Sequence, residues 1–147
     1  MKRQELETFL HREIPLTSAM EISVLRSDDT GIILSAPLAI NKNDKNTAFA
    51  GALATLTTLS GWALTSLIVE GQSDDFNVVA SKSQIEYLRP VTTEIVAYCD
   101  MPEKELVEVF LKRLGSHGKA RLNLTARIEC NGAKAVSFSG DYYALKK

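Results

Sequence analysis

The chain has 147 residues, enough for one domain that buries a substantial core. Its 17 basic and 18 acidic residues nearly cancel, so the basic surface that nucleic-acid binding draws on is missing in bulk. Two cysteines, Cys99 and Cys130, make no disulfide framework and no CxxC metal spacing; both read as small buried hydrophobes, and no metal is expected.

The N-terminal segment MKRQELETFLHRE has no apolar h-region, so no secretory signal and a cytoplasmic location are expected. Leu6, Phe9 and Leu10 share one face of an amphipathic helix over residues 2–13, which Pro15 stops. Residues 19–26 and 31–38 read as strands, joined by a turn at Ser27-Asp28-Asp29-Thr30-Gly31. A polar loop follows, Asn41-Lys42-Asn43-Asp44-Lys45-Asn46-Thr47, in which Asn46 or Thr47 can cap the next helix.

That helix, residues 48–69, dominates the chain. No charged residue falls between Lys45 and Glu70, so a helix there is apolar on nearly every face and has to be buried all round. A membrane span needs about 20 mostly apolar residues. Here Thr55, Thr57, Thr58, Ser60, Thr65 and Ser66 put hydroxyls into the run, and neither end carries a Lys/Arg cluster. The expectation is a buried helix in a protein without a membrane partner, with Trp62 in its core.

Residues 77–88 alternate as a strand ending at Pro90, and 92–99 form another. Asp100-Met101-Pro102-Glu103 reads as a helix start, with Asp100 as cap. The helix runs over 102–114 with Leu106, Phe110 and Leu114 at spacing four, closed by Gly115. Residues 119–130 alternate cleanly, Asn131-Gly132 is a hairpin turn, and 133–145 make the last strand. There is no internal repeat and no linker, so residues 1–147 read as a single α+β domain in which about six antiparallel strands wrap one long helix.

This order of elements, with TAFAGALATL opening the long helix and Tyr87-Leu88-Arg89-Pro90 closing the next strand, resembles the hotdog fold of acyl-CoA thioesterases and dehydratases. The nearer resemblance is to the YiiD C-terminal-type thioesterase family. It is carried by Ile14-Pro15-Leu16, Ala19-Met20, Ala36-Pro37-Leu38, Asn41, Asn43, Thr47, Phe49-Ala50-Gly51, Leu59, Gly61-Trp62 and the YLRP segment, spread over residues 14–145. The resemblance implies a homodimer with sheets joined edge to edge, and leaves open whether dimers pair into a tetramer. Two sites would then form where the start of one long helix meets the other subunit. The substrate is a small-molecule acyl thioester; coenzyme A enters only as part of it, and no separate cofactor is implied.

Thioester hydrolysis needs a polarised carbonyl, an aimed water and a proton acceptor. A helix N-terminus polarises through its free N–H groups. In many hotdog thioesterases His-Gly-Gly stands where Phe49-Ala50-Gly51 stands here, so Ala50 and Gly51 are the oxyanion-hole candidates, with Phe49 beside the substrate. In one branch an Asn six residues before that His positions water, which lands on Asn43; Asn41 and Asn46 flank it as substrate contacts, or as turn and cap residues. The same branch keeps a carboxylate eight residues beyond the first Gly, where this chain has Thr58. Asp44 is then the nearest carboxylate. Arg89, Lys119 and Arg121 are candidates for coenzyme A phosphates, or solvated charges; His11 and His117 read as surface residues. The alternative function is a non-catalytic hotdog that binds acyl or pantetheine groups. Dehydratase chemistry ranks lower, since no acid or His lies between residues 46 and 69.

Overall fold

Six antiparallel strands form one sheet in the computed structural model, which describes residues 1–147. In chain order the elements are α1 (Arg3–Glu13), α2 (Pro15–Ala19), β1 (Ser23–Asp28), β2 (Gly31–Ala36), α3 (Ala50–Glu70), β3 (Phe76–Tyr87), β4 (Ile95–Asp100), α4 (Lys104–His117), β5 (Lys119–Cys130) and β6 (Ala133–Lys146). The strands lie in the order β1-β2-β4-β5-β6-β3, so β1 and β3 are the two edges.

The sheet curls around α3. Of the 21 residues of α3, eleven are buried, among them Leu53, Leu56, Leu64 and the polar Thr57, Ser60 and Thr65. By length and composition α3 alone is apolar enough to cross a bilayer, but most of it faces the sheet instead. Its hydroxyls are satisfied within the helix: Thr57 Oγ1 donates to Leu53 O at 2.9 Å, Ser60 Oγ to Thr57 O and Thr65 Oγ1 to Gly61 O, each at 2.8 Å. Buried hydroxyls therefore cost the core little. The inward residues of β5, Ala120, Leu122, Leu124, Ala126 and Ile128, alternate with exposed Lys119, Arg121, Asn123 and Thr125, as the sequence pattern requires of a half-buried strand.

Tyr142 locks α3 to β6. Its hydroxyl donates to Thr58 O at 2.8 Å, and it reaches that carbonyl because Gly61 leaves the helix surface open; a Cβ on Gly61 would lie 2.3 Å from the Tyr142 oxygen. Burial raises the Tyr142 hydroxyl's pKa above the ordinary phenol value, and pushes the neighbouring Cys99 thiol up to about 12. Both groups stay neutral at physiological pH.

Several local expectations change. Residues 19–22 belong to the end of α2 and a turn, because Pro15 both ends α1 and opens a second short helix at its first position. The long helix starts at Ala50, not 48, and its N-cap is Phe49 without a side-chain bond; Asn46 sits at φ 61 in a turn, so neither it nor Thr47 caps. At α4 the N-cap is Glu103 rather than Asp100, and the helix runs through Gly115 to His117, closing at Gly118 in the left-handed region. Gly115 is compatible with a helix interior, whereas Gly118 at φ 69 is where a left-handed cap is needed. The Asn131-Gly132 turn is as expected, with both residues at positive φ.

The two sheet edges differ. At β1, α1 lies alongside: Glu7 accepts the Val24 N–H at 2.8 Å and Arg3 donates toward Val24 O at 3.4 Å. At β3 no element flanks the far side, and nine of its twelve residues are exposed.

Candidate functional site

The start of α3 opens toward solvent. Phe49 O receives Ala52 N–H at 2.9 Å and Leu53 N–H at 3.1 Å, whereas the Ala50 and Gly51 N–H groups have no backbone acceptor. Two donors at the positive end of a 21-residue helix are thus free to polarise a bound oxygen. The Phe49 ring, 56% exposed, lies over Gly51; a Cβ there would be 2.3 Å from a ring carbon. From the end of β3, the Tyr87 hydroxyl comes to 3.5 Å from Ala50 O. Tyr87 is about half exposed, so the rings of Phe49 and Tyr87 form an apolar rim beside the free N–H pair. In the sequence Tyr87 stands out only as part of the YLRP segment; its place facing the helix start is a tertiary fact, although it shares strand parity with Ile85.

The loop before α3 is held by its asparagines. Asn41 is buried; its Nδ2 donates to Met20 O at 3.0 Å and Pro37 O at 2.8 Å, and its carbonyl accepts Phe49 N–H at 2.8 Å. It fixes the helix entry from below. Asn43 Oδ1 accepts from Lys45 N at 2.8 Å and Thr47 N at 3.1 Å, while its Nδ2 donates to Thr47 Oγ1 at 2.8 Å and reaches Ala48 O at 3.4 Å. That amide is spent on the loop. Asn46 is exposed at the loop's turn. Asp44 projects into solvent, its carboxylate 3.0 Å from Lys45 Nζ with both side chains more than 70% exposed.

One stripe of α3 stays half-buried: Gly51, Ala54, Thr55, Thr58 and Trp62. Thr58 lies seven residues beyond Gly51, on the same face but about 10 Å along the axis. Within one subunit it is too far to share a water with the Gly51 N–H. Thr58 instead borders an open cavity of about 350 Å³ with Ile14, Ala54, Thr55, Leu59, Trp62 and Ala80.

The basic candidates lie apart. Lys119 and Arg121 face the outer side of the sheet, opposite α3. Tyr87 aligns through Val136 with Ile128, so these two residues are seven to nine positions up β5, roughly 25–30 Å away. Lys119 Nζ stands 5.0 Å over the Tyr143 ring, and Arg121 is 3.6 Å from Asp141. Arg89 is exposed just beyond β3, close in sequence to Tyr87. His11 is half-buried with Nε2 2.6 Å from Ile22 O, which corrects its reading as a surface residue; His117 is exposed beside Ser116. Cys99 and Cys130 are both free and buried, as expected.

The same architecture recurs in known proteins. The family model described as "Putative thioesterase (yiiD_Cterm)" matches residues 3–146. A Shewanella oneidensis protein described as a putative thioesterase is 31% identical, with 97% of this chain and 96% of that one covered at a TM-score of 0.86. A Chlorobaculum tepidum protein of unknown function is 29% identical over 99% of this chain and 94% of that one, at a TM-score of 0.94. A Pseudomonas aeruginosa protein of unknown function, 20% identical, covers 100% and 97% with a TM-score of 0.84, which bears on fold alone.

Proposed function

The chain belongs to the YiiD C-terminal thioesterase family and has the hotdog fold, and from that premise we propose that it hydrolyses acyl thioesters of coenzyme A or an acyl carrier, in the cytoplasm, as a homodimer. The observation that carries this reading is the uncapped start of α3, with the Ala50 and Gly51 N–H groups free beneath an apolar rim. A thioester carbonyl oxygen seated on that pair is polarised. Water attacks the carbonyl carbon, the N–H pair holds the resulting oxyanion, and collapse breaks the carbon–sulfur bond to release the thiolate. The water's proton goes to Asp44 and from there to the leaving sulfur, with Asn43 holding the loop that carries Asp44 in place. Phe49, Tyr87 and Arg89 line the approach.

The sheet edges support the dimer. An unprotected 12-residue edge strand seeks a partner, and β3 is the one that α1 does not cover. Pairing β3 with its copy also brings the second α3 close, so that the partner copy's equivalent of Thr58 can approach a helix start its own subunit cannot reach. Sedimentation at micromolar concentration should give a dimer; a stable monomer would remove both the dimer and the shared site.

Turnover on a broad acyl-CoA panel, with Gly51→Val as the control for the N–H pair, tests the hydrolase reading. A second reading, a non-catalytic module for acyl or pantetheine groups, is favoured by the solvent-exposed, Lys45-paired Asp44 and the lack of any carboxylate on α3 before its last residue, Glu70. Tight binding without turnover of any acyl-CoA would replace the first with the second.

A further inference from the structure

Trp62 stands between two cavities. On one side is the 350 Å³ groove bordered by Ala54, Thr55, Thr58 and Ala80, which begins one turn from Gly51. On the other is a second cavity of about 380 Å³ between α1, the end of α3 and the start of β3, lined in part by Leu6, Phe9, Val69 and Phe76. Trp62 lines both. Its indole is held in place: Nε1 donates to Val78 O at 2.8 Å, and the Phe9 ring stacks against it with centroids 6.3 Å apart and planes at 12°. A bulky side chain fixed by one hydrogen bond and one stacking partner is a wall, not a loose filler.

We propose that Trp62 is the residue that sets acyl-chain length, the chain lying along the half-buried stripe of α3 from Gly51 and ending against the indole. The inference rests on the thioesterase reading for the position of the carbonyl. Three observations select an acyl chain as occupant. The groove begins at Ala54, one turn along α3 from Gly51, five of its seven lining residues are apolar, and no charged residue borders it. Gly51 and Trp62 are eleven residues apart on one helix, about 16 Å. Allowing about 3 Å for the reach of the indole, an extended chain of roughly ten carbons fills that span, since staggered C–C bonds of ~1.5 Å advance it by only about 1.3 Å per carbon. A longer chain has to displace Trp62 from Val78 and Phe9, which costs a hydrogen bond and a packed aromatic pair. Pairing through β3 leaves the chain in place and roofs it, because Ala80 on that strand forms one side of the groove.

Trp62 is also the chain's only tryptophan, so its emission reports on the groove without any turnover. The test pairs two measurements on the full-length protein: Trp62 fluorescence during titration with coenzyme A and with saturated fatty acids of rising length, and kcat/KM on saturated acyl-CoAs from acetyl to palmitoyl. The expected result is no change in emission with coenzyme A alone, a change that grows with chain length and levels off near ten carbons, and a turnover optimum at the same length. Trp62→Ala joins the two cavities and should raise kcat/KM on palmitoyl-CoA relative to octanoyl-CoA by roughly tenfold or more, the low end of what small hydrophobic-pocket differences give. Should that variant fail to fold, Ala54→Leu narrows the groove from a half-exposed helix position and should shorten the optimum.

Turnover with a length profile that neither variant moves, or emission indifferent to every chain, overturns the role of Trp62 and leaves the hydrolase standing. A length-limited change in emission with no turnover on any acyl-CoA removes the hydrolase and keeps Trp62 as the limit of an acyl-binding groove. Silence in both measurements removes both.

Discussion

The two faces of α3 share one sequence character and do opposite work. The face toward the sheet carries Leu53, Leu56, Thr57, Ser60, Gly61 and Leu64, all buried, with every hydroxyl tied to a helix carbonyl and Tyr142 seated in the gap at Gly61. The face away from it carries Gly51, Ala54, Thr55, Thr58 and Trp62, half-buried, beside a groove and below two free N–H groups. Both faces are uncharged and rich in small and hydroxyl residues. What separates them is partnership: one has β2, β4, β5 and β6 packed on it, while the other meets only the bare edge strand and α1. A helix apolar all round thereby serves the core with one face and, on the proposed reading, an apolar ligand with the other.

That contrast predicts that the two glycines fail in different ways. Gly61→Val drives a side chain into the Tyr142 hydroxyl and breaks its bond to Thr58 O. It should cost about 3 kcal/mol or more, the sum expected of overpacking and a lost buried hydrogen bond. Thermal unfolding should show Tm lower by roughly ten degrees, with turnover per folded molecule kept.

Gly51→Val should do the reverse. The new side chain meets only the exposed Phe49 ring, which can swing aside, so Tm should shift by less than about 2 °C. The displaced ring and the added branches occupy the space above the N–H pair, and kcat/KM should fall by ~10² or more, the size of a lost oxyanion donor. A fall in Tm matching that of Gly61→Val, with kinetics unchanged, would return Gly51 to a packing role and blur the contrast.

The loop contributes less. Asp44→Asn should slow hydrolysis by about tenfold or more and flatten the acidic limb of the rate profile, as loss of a base does. Asn43→Ala, which frees the backbone at Lys45 and Thr47, should lower the whole curve and keep its shape. Wild-type rates in Asp44→Asn together with an inactive Thr58→Ala would move the proton path onto α3.

The smallest effect at neutral pH belongs to the buried face. Cys99, packed near Ser60 and Tyr142, has its pKa raised from 9.0 to about 12, chiefly by burial and then by Asp100. Because the folded value is the higher one, the contribution to stability is whole below pH 9 and is lost as pH rises from 9 toward 12. Over that window unfolding free energy should drop by about 1.4 kcal/mol per pH unit for this group, with Tyr142 adding to the loss at its upper end. In Cys99→Ala the slope of stability against pH should be shallower by about one proton; an unchanged slope would mean that the thiol titrates freely.

Much of this was legible in one dimension. The absence of charge between Lys45 and Glu70 indicated the long helix that the sheet wraps, although the stripe from Gly51 to Trp62 stays half-buried rather than buried all round; the alternation in 119–130 indicated a half-buried strand and Asn131-Gly132 its turn, because periodicity and turn chemistry are local. The combination of FAG, GW and YLRP pointed to the family and to the start of the long helix. The helix ends were less readable. Phe49, whose side chain has no acceptor, is the N-cap of α3 because Asn41, eight residues earlier, holds its N–H, and the helix that the sequence closes at Gly115 runs on to Gly118 because composition does not reveal φ.

Only the tertiary structure decided the rest. It spent the Asn43 amide on its own loop, sent Lys119 and Arg121 to the far face of the sheet, and put Tyr87 over the helix start. It also covered the β1 edge with α1, left β3 bare, and made Trp62 a partition between two cavities rather than plain core. Each of these depends on residues distant in sequence meeting at one place. A single sequence states which side chains exist and with what period they recur; which of them still have a free hydrogen bond or a free face is settled only when every other element has taken its share.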